Sequence, residues 1–254
     1  MPSCFKWRSI YIDESGFLTA TNCIFSGNSA NAGGAVFSLL SGLIFTATGC
    51  IFSNNNAISD SGGAVYHTNA GTFTATDCTF STNQAVNFGG AVYSDSFTAT
   101  NCTFSNNSAG TGIGGQGGAV NAGGYMTATD CTFSNNSASY GGGVYCVGLW
   151  TAKDCTFSSN AATVDGGAVK GISGPVMSAT GCSFFDNTAG NNGGALWIQG
   201  TGLNLTSCTL FSNTAGSNGG AIMAWDSTIY SSSMTCYQNS AVSPLFPSTQ
   251  QSKF

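Results

Sequence analysis

One string governs what this chain can become. Cys-Thr-Phe-Ser-Asn-Asn recurs with small changes at Cys23, Cys50, Cys78, Cys102, Cys131, Cys155, Cys182 and Cys208, and a ninth copy has Met234 in the Cys place. Neighbouring copies lie 24 to 29 residues apart, the mark of a fixed unit with one loop of variable length. A second string, Gly-Gly-Ala-Val, follows each of the first eight copies, from Gly33 to Gly219, with Gly143 in the Ala place of the Gly141 copy. The order never changes. Such an array folds one supersecondary unit per repeat and buries its apolar face only by stacking.

Each unit reads as three short strands: Phe-Thr-Ala-Thr (residues 73–76), Cys-Thr-Phe-Ser (78–81) and Gly-Ala-Val-Tyr (90–93). All three alternate with period two and favour aromatic, β-branched or small residues. A single residue separates the first two strands: Asn22, Gly49, Asp77, Asn101, Asp130, Asp154, Gly181 or Ser207. Gly, Asn and Asp enter the left-handed region most readily, so this position predicts a one-residue bend. A second turn repeats an Asn at 28, 55, 83, 107, 136, 160, 187, 213 and 239, which predicts a ladder of stacked amides. No segment shows a 3.6-residue apolar period. The fold class is therefore all-β: a parallel β-helix of about nine coils of 24–29 residues, with three short strands per coil. Alternation puts Cys78, Phe80 and Ala75 inside and Thr74, Thr76, Thr79 and Ser81 outside.

The paired motif Phe-x-x-Asn (Phe80 and Asn83, Phe104 and Asn107, Phe133 and Asn136) followed by Gly-Gly-Ala-Val/Ile resembles the repeats of chlamydial polymorphic outer membrane proteins. The resemblance runs over residues 17–241. It implies a right-handed β-helix, and it implies an adhesin-like role at a cell surface, although no β-barrel translocator accompanies the repeats. Residues 1–16 read as an entry segment without an apolar signal-peptide core, 17–241 as the β-helix, and 242–254 as a tail or linker. Uncapped solenoid ends expose strand edges, so the chain is expected to be a segment of a longer protein or to associate end to end.

Composition narrows the partners. Five Lys and Arg in 254 residues, with a net charge of -5, leave no basic patch for nucleic acid. No apolar run reaches the 18 or so residues a transmembrane helix needs. Eleven Cys suggest a disulfide scaffold, but eight fall in one inward column. Rungs lie about 4.8 Å apart, whereas a disulfide wants Cβ atoms nearer 3.8 Å, so the column reads as buried free thiols. Cys4, Cys146 and Cys236 lie outside it. Asn101, Asn106, Asn135 and Asn204 head sequons for N-glycosylation, which Asn/Ser/Thr repeats also generate by chance.

Catalytic chemistry finds little footing. Asp77, Asp130 and Asp154 fall in the bend column, where turn formation accounts for them. Asp130 and Asp154, beside Lys153, are the best place for a calcium ion or an acid pair. His67 is the single His, with no evident partner. The Gly-Gly pairs recur once per coil, a structural duty rather than phosphate binding. The expectation is no enzyme activity, no cofactor and no metal.

Two outward columns carry functional hypotheses. The first is a Thr-x-Thr ladder: Thr19 and Thr21, Thr46 and Thr48, Thr74 and Thr76, Thr98 and Thr100, Thr127 and Thr129. Spaced about 4.8 Å between rungs and roughly 6.7 Å along a strand, it resembles the face of β-solenoid antifreeze proteins. Plain β-propensity also accounts for it. The second holds Phe37, Tyr66, Tyr93, Tyr145 and Trp197, candidates for stacking on sugar rings, unless they stack on each other or lie under loops. Sequence alone thus favours a structural or adhesive segment of an extracellular surface protein or fibre, binding a surface protein, glycan or matrix. The alternatives are ice binding and, third, a polysaccharide-active enzyme.

Overall fold

A computed structural model describes residues 6–7, 9–12, 16–39, 42–110 and 114–242. Cys4 and most of the expected tail, 243–254, lie outside them. The chain winds as a parallel β-helix whose strands form three sheets of ten, sixteen and nine strands. Every described strand pair is parallel and joins one coil to the next, for example Thr79–Ser81 with Thr103–Ser105. Winding starts before Phe17, because Lys6–Trp7 already pairs with Ile24 and Phe25.

The sheets divide the coil differently from the sequence reading. The Cys-Thr-Phe-Ser strands make the ten-stranded sheet. The Gly-Ala-Val strand does not make a third sheet. It runs on into the Phe-Thr-Ala-Thr strand that follows it, sharing the sixteen-stranded sheet, and in two coils the two fuse as Val92–Thr100 and Val120–Thr129. The third sheet consists mostly of two-residue steps such as Gln84–Ala85, just after the repeated Asn. Two residues cannot display an alternation, so no periodic signal announced this sheet.

Both turns use left-handed residues. The expected bend holds at each copy, from Asn22 (φ 52°) through Asp130 (φ 53°) to Ser207 (φ 52°). A second such residue precedes each ladder Asn, including Thr82 (φ 56°) and Gln238 (φ 54°), whose types do not advertise the conformation. The Gly-Gly pair closes the coil for two separate reasons. Gly89 has φ 60°, and a Cβ on it would sit 2.1 Å from the Val92 carbonyl oxygen. A Cβ on Gly90 would sit 2.1 Å from the Gly118 oxygen of the next coil. Backbones approach too closely there for any side chain.

Stacked identical side chains fill the interior. Phe25, Phe52, Phe80, Phe104, Phe133, Phe157 and Phe184 form one column with centroids 4.7–4.8 Å apart and planes within 2–6° of parallel. Each ring pair adds about 0.5–1.5 kcal/mol beyond burial. The ten described cysteines are free thiols, and seven of the eight in the repeat column are buried. Cys78 Sγ lies 3.2 Å from the Thr76 carbonyl oxygen to which it donates, and Cys102 Sγ accepts from the Cys78 N–H at 3.4 Å. The thiols act as small core groups that also satisfy backbone at the bend.

The amide ladder is complete. Asn83 N–H and Nδ2 both donate to Asn107 Oδ1, at 3.0 Å each, and the other Nδ2 proton goes to the Phe52 carbonyl at 2.9 Å. The pattern repeats from Asn55 to Asn213, with every side-chain valence filled in a buried position. Buried amides left unpaired would cost about 1–3 kcal/mol each, so the ladder also fixes the register.

Candidate functional site

The Thr-x-Thr ladder lies where alternation puts it. Thr19, Thr46, Thr74, Thr98 and Thr127 stand in direct register, as do Thr21, Thr48, Thr76, Thr100 and Thr129. All ten are exposed or half-exposed, while the Ala between each pair is buried. Beyond the fifth rung the face continues as Thr151 and Lys153, Ser178 and Thr180, Asn204 and Thr206. Around the one-residue bend runs a second hydroxyl wall, built by Thr79, Thr103, Thr132 and Thr156 with Ser81, Ser105, Ser134 and Ser158. On its last three coils Phe185, Phe211 and Tyr237 stack outward at 4.9 and 5.3 Å. The outward Ser and Thr were legible one strand at a time, but the wall and its aromatic end were not singled out.

The aromatic column has two characters. Tyr11 joins it, stacking on Phe37 at 5.5 Å; Phe37 stacks on Tyr66 at 5.1 Å, and Tyr66 leans on Tyr93 at 4.9 Å. These rings cover one another's faces, and Phe37, Tyr66 and Tyr93 are each half-exposed. Tyr11, 70% exposed, ends the stack. Further along the expected exposure fails: Tyr145 and Trp197 are only 7% and 8% exposed. Lys170, in register between them, is itself buried. Its Nζ lies 3.9 Å from the Trp197 ring centre, 4.1 Å from that of Tyr140, and 2.9 Å from Asp165 Oδ2. Asn192 Nδ2 donates to the other Asp165 oxygen at 3.0 Å. Burial pushes the Lys170 pKa down, and Asp165 opposes it. Tyr140 and Asp165, the last residues of the third-sheet strands Ser137–Tyr140 and Ala161–Asp165, roof this half of the column, which is why its aromatics do not reach solvent.

The acidic residues remain in turns. Asp130 and Asp154 occupy successive bends, and Lys153 Nζ is 3.9 Å from Asp154 Oδ2, with both side chains largely in water. Among the described residues no group of three or more His, Cys, Asp or Glu converges as a metal site would. His67 points into the core, 1% exposed, in register between Ser38 and Ser94, and neither ring nitrogen has a hydrogen-bond partner among the described residues. Burial lowers its pKa, an effect opposed in part by nearby backbone and Asp95. All four sequon asparagines reach solvent: Asn101, Asn106 and Asn135 in left-handed turns, and Asn204 in a strand. Asn101 Nδ2 donates to Asp77 Oδ1 at 2.6 Å. Among the described residues no helix is long and apolar enough to cross a membrane.

Parallel pairing throughout, three sheets and a core of stacked columns define a right-handed parallel β-solenoid. The family described as "Right handed beta helix region" matches residues 5–162, more than half of the chain, and the protein belongs to it. The "Chlamydia polymorphic membrane protein (Chlamydia_PMP) repeat" matches residues 154–171 and 181–199, each match spanning a Cys-x-Phe strand or a Phe-x-x-Asn turn and its Gly-Gly closure. No curated protein and no solved structure matches the chain.

Proposed function

We propose that this chain is a non-catalytic structural and adhesive segment of an extracellular surface protein or fibre, holding glycan or matrix along its solenoid faces. The observation that carries this reading is the pair of hydroxyl walls: five Thr-x-Thr rungs in unbroken register and, around the bend, four rungs from Thr79 and Ser81 to Thr156 and Ser158. The polymorphic membrane protein repeats support a surface or outer-membrane setting. Displayed on a non-adherent cell, the chain is expected to raise attachment to glycan- or matrix-coated surfaces several-fold. No gain in attachment would remove adhesion, and cleavage of a polysaccharide by the purified chain would remove the non-catalytic reading.

A second reading is favoured by one observation, the five Thr-x-Thr rungs in unbroken register. A flat lattice of hydroxyls at these spacings can order surface water, as an ice-binding face must. Thermal hysteresis and ice shaping in the native chain, both lost in the double variant Thr76→Leu with Thr100→Leu, would establish it. Native protein without either effect would end it.

A further inference from the structure

Among the described residues, no strand of the third sheet lies beneath Ser29–Ala30 at the N-terminal end of the solenoid. Lys6–Trp7 and Ile10–Ile12 each lie beneath the first full coil, on the other two sheets. Only two residues separate them, too few to pass through the third sheet, so Ser29–Ala30 is that sheet's outermost strand among the described residues. In later coils the residue after each ladder Asn donates its N–H to the preceding coil, as Ser108 does to the Asn83 carbonyl at 2.9 Å. The residue after the rung Ala does the same, as Ile58 does to the Ala30 carbonyl at 2.8 Å. The equivalent donors in the first coil, Ser29 N–H and Asn31 N–H, have no partner among the described residues. Asn28 Oδ1, the position that accepts two bonds in every later rung, likewise accepts none there. A groove of about 580 Å³ opens at this place, with Ser9, Ile10 and Tyr11 on one wall and Ala32, Phe37 and Asp60 on the other.

We propose that this groove takes up one extended strand of Asn-x-Ala sequence from another chain of the same repeat type, added in parallel beneath Ser29–Ala30. The donor and acceptor pattern specifies the occupant. Two backbone carbonyls, those of the Asn and of the Ala two residues on, accept from Ser29 and Asn31. An Asn just before the strand donates its N–H and Nδ2 to Asn28 Oδ1. The Ala of that strand continues the inward column of Ala30, Ala57, Ala85 and Ala109, and the residue before it points outward. Strand addition of this kind draws affinity from main-chain bonds and specificity from alternate side chains.

The test is a titration of the isotope-labelled chain with a peptide copying residues 103–110, whose Asn107, Ser108 and Ala109 form one rung. The amides of Ser29 and Asn31 are expected to exchange quickly in the free protein and at least about tenfold more slowly at saturation. Asn28→Ala, which touches the ladder only through its end, is expected to weaken peptide binding about tenfold while the far coils keep their protection. A peptide with Lys in place of Ala109 is expected not to bind. Three results would each overturn the proposal: no slowing at either amide, protection of both amides before peptide is added, or equal binding of the Lys peptide.

Discussion

The outward column beside the Gly-Gly turn is one sequence position used in two ways. From Tyr11 to Tyr93 it is a half-exposed stack of rings that satisfy one another. From Asn121 to Trp197 it is roofed, and its centre is a buried Lys170–Asp165 pair between aromatic faces. The inward columns of Ala and Val that follow the Gly-Gly turn continue through both halves, apart from Gly143 and Leu196. What differs is the segment between the rung Ala and the Gly-Gly pair, which in Ser137–Tyr140 and Ala161–Asp165 extends the third-sheet strand and brings Tyr140 and Asp165 over the column in the second half. A solenoid can therefore keep its core constant and change its surface coil by coil, because each coil answers only to its neighbours.

The largest effect should come from splitting the buried pair. Lys170→Met leaves Asp165 without its cation and is expected to cost about 3–5 kcal/mol by urea unfolding. Adding Asp165→Asn should recover much of the loss; if Lys170→Met costs less than Tyr66→Ala, the contrast between the halves is wrong. Tyr66→Ala removes two ring contacts from the open stack, and about 1–2 kcal/mol is expected.

Acid should separate the halves by a different route. His67 lies in the first half, and burial holds its folded pKa below the usual 6.5, with Asp95 the charged group that opposes the shift. The unfolded chain then binds a proton that the folded one refuses, so the His67 contribution to stability is constant above about pH 6.5 and falls as pH drops through the window below it. Hydrogen exchange around residues 65–76 should record the loss first, and His67→Gln should abolish it. A pH dependence unchanged in that variant would assign the effect to other groups. The smallest effect belongs to Lys153→Thr on the exposed ladder, expected within about 0.5 kcal/mol of the native chain.

Much of this architecture was legible because the repeat displays each choice eight or nine times over. The bends announced themselves through Asn, Asp and Gly, and the amide ladder through an Asn that never changes place. The companion bend was less legible, since Thr82, Ser159 and Gln238 adopt it under the constraint of coil closure and not by propensity. Neither the third sheet nor the roofed half of the aromatic column could be read: one is too short for a period, and the other depends on third-sheet residues before the Gly-Gly pair that do not repeat from coil to coil. His67 had no visible partner in sequence, yet stacking sets it between Ser38 and Ser94 in the dry interior.

By itself the sequence determined the unit, its period, which residues face inward and the tandem stacking of parallel coils. Those follow from alternation and turn chemistry, which are local and are repeated. Only the tertiary structure decided which outward columns meet water, where a cation is buried, and where a rung is left out. Those depend on what loops from neighbouring coils cover, and no single coil encodes that.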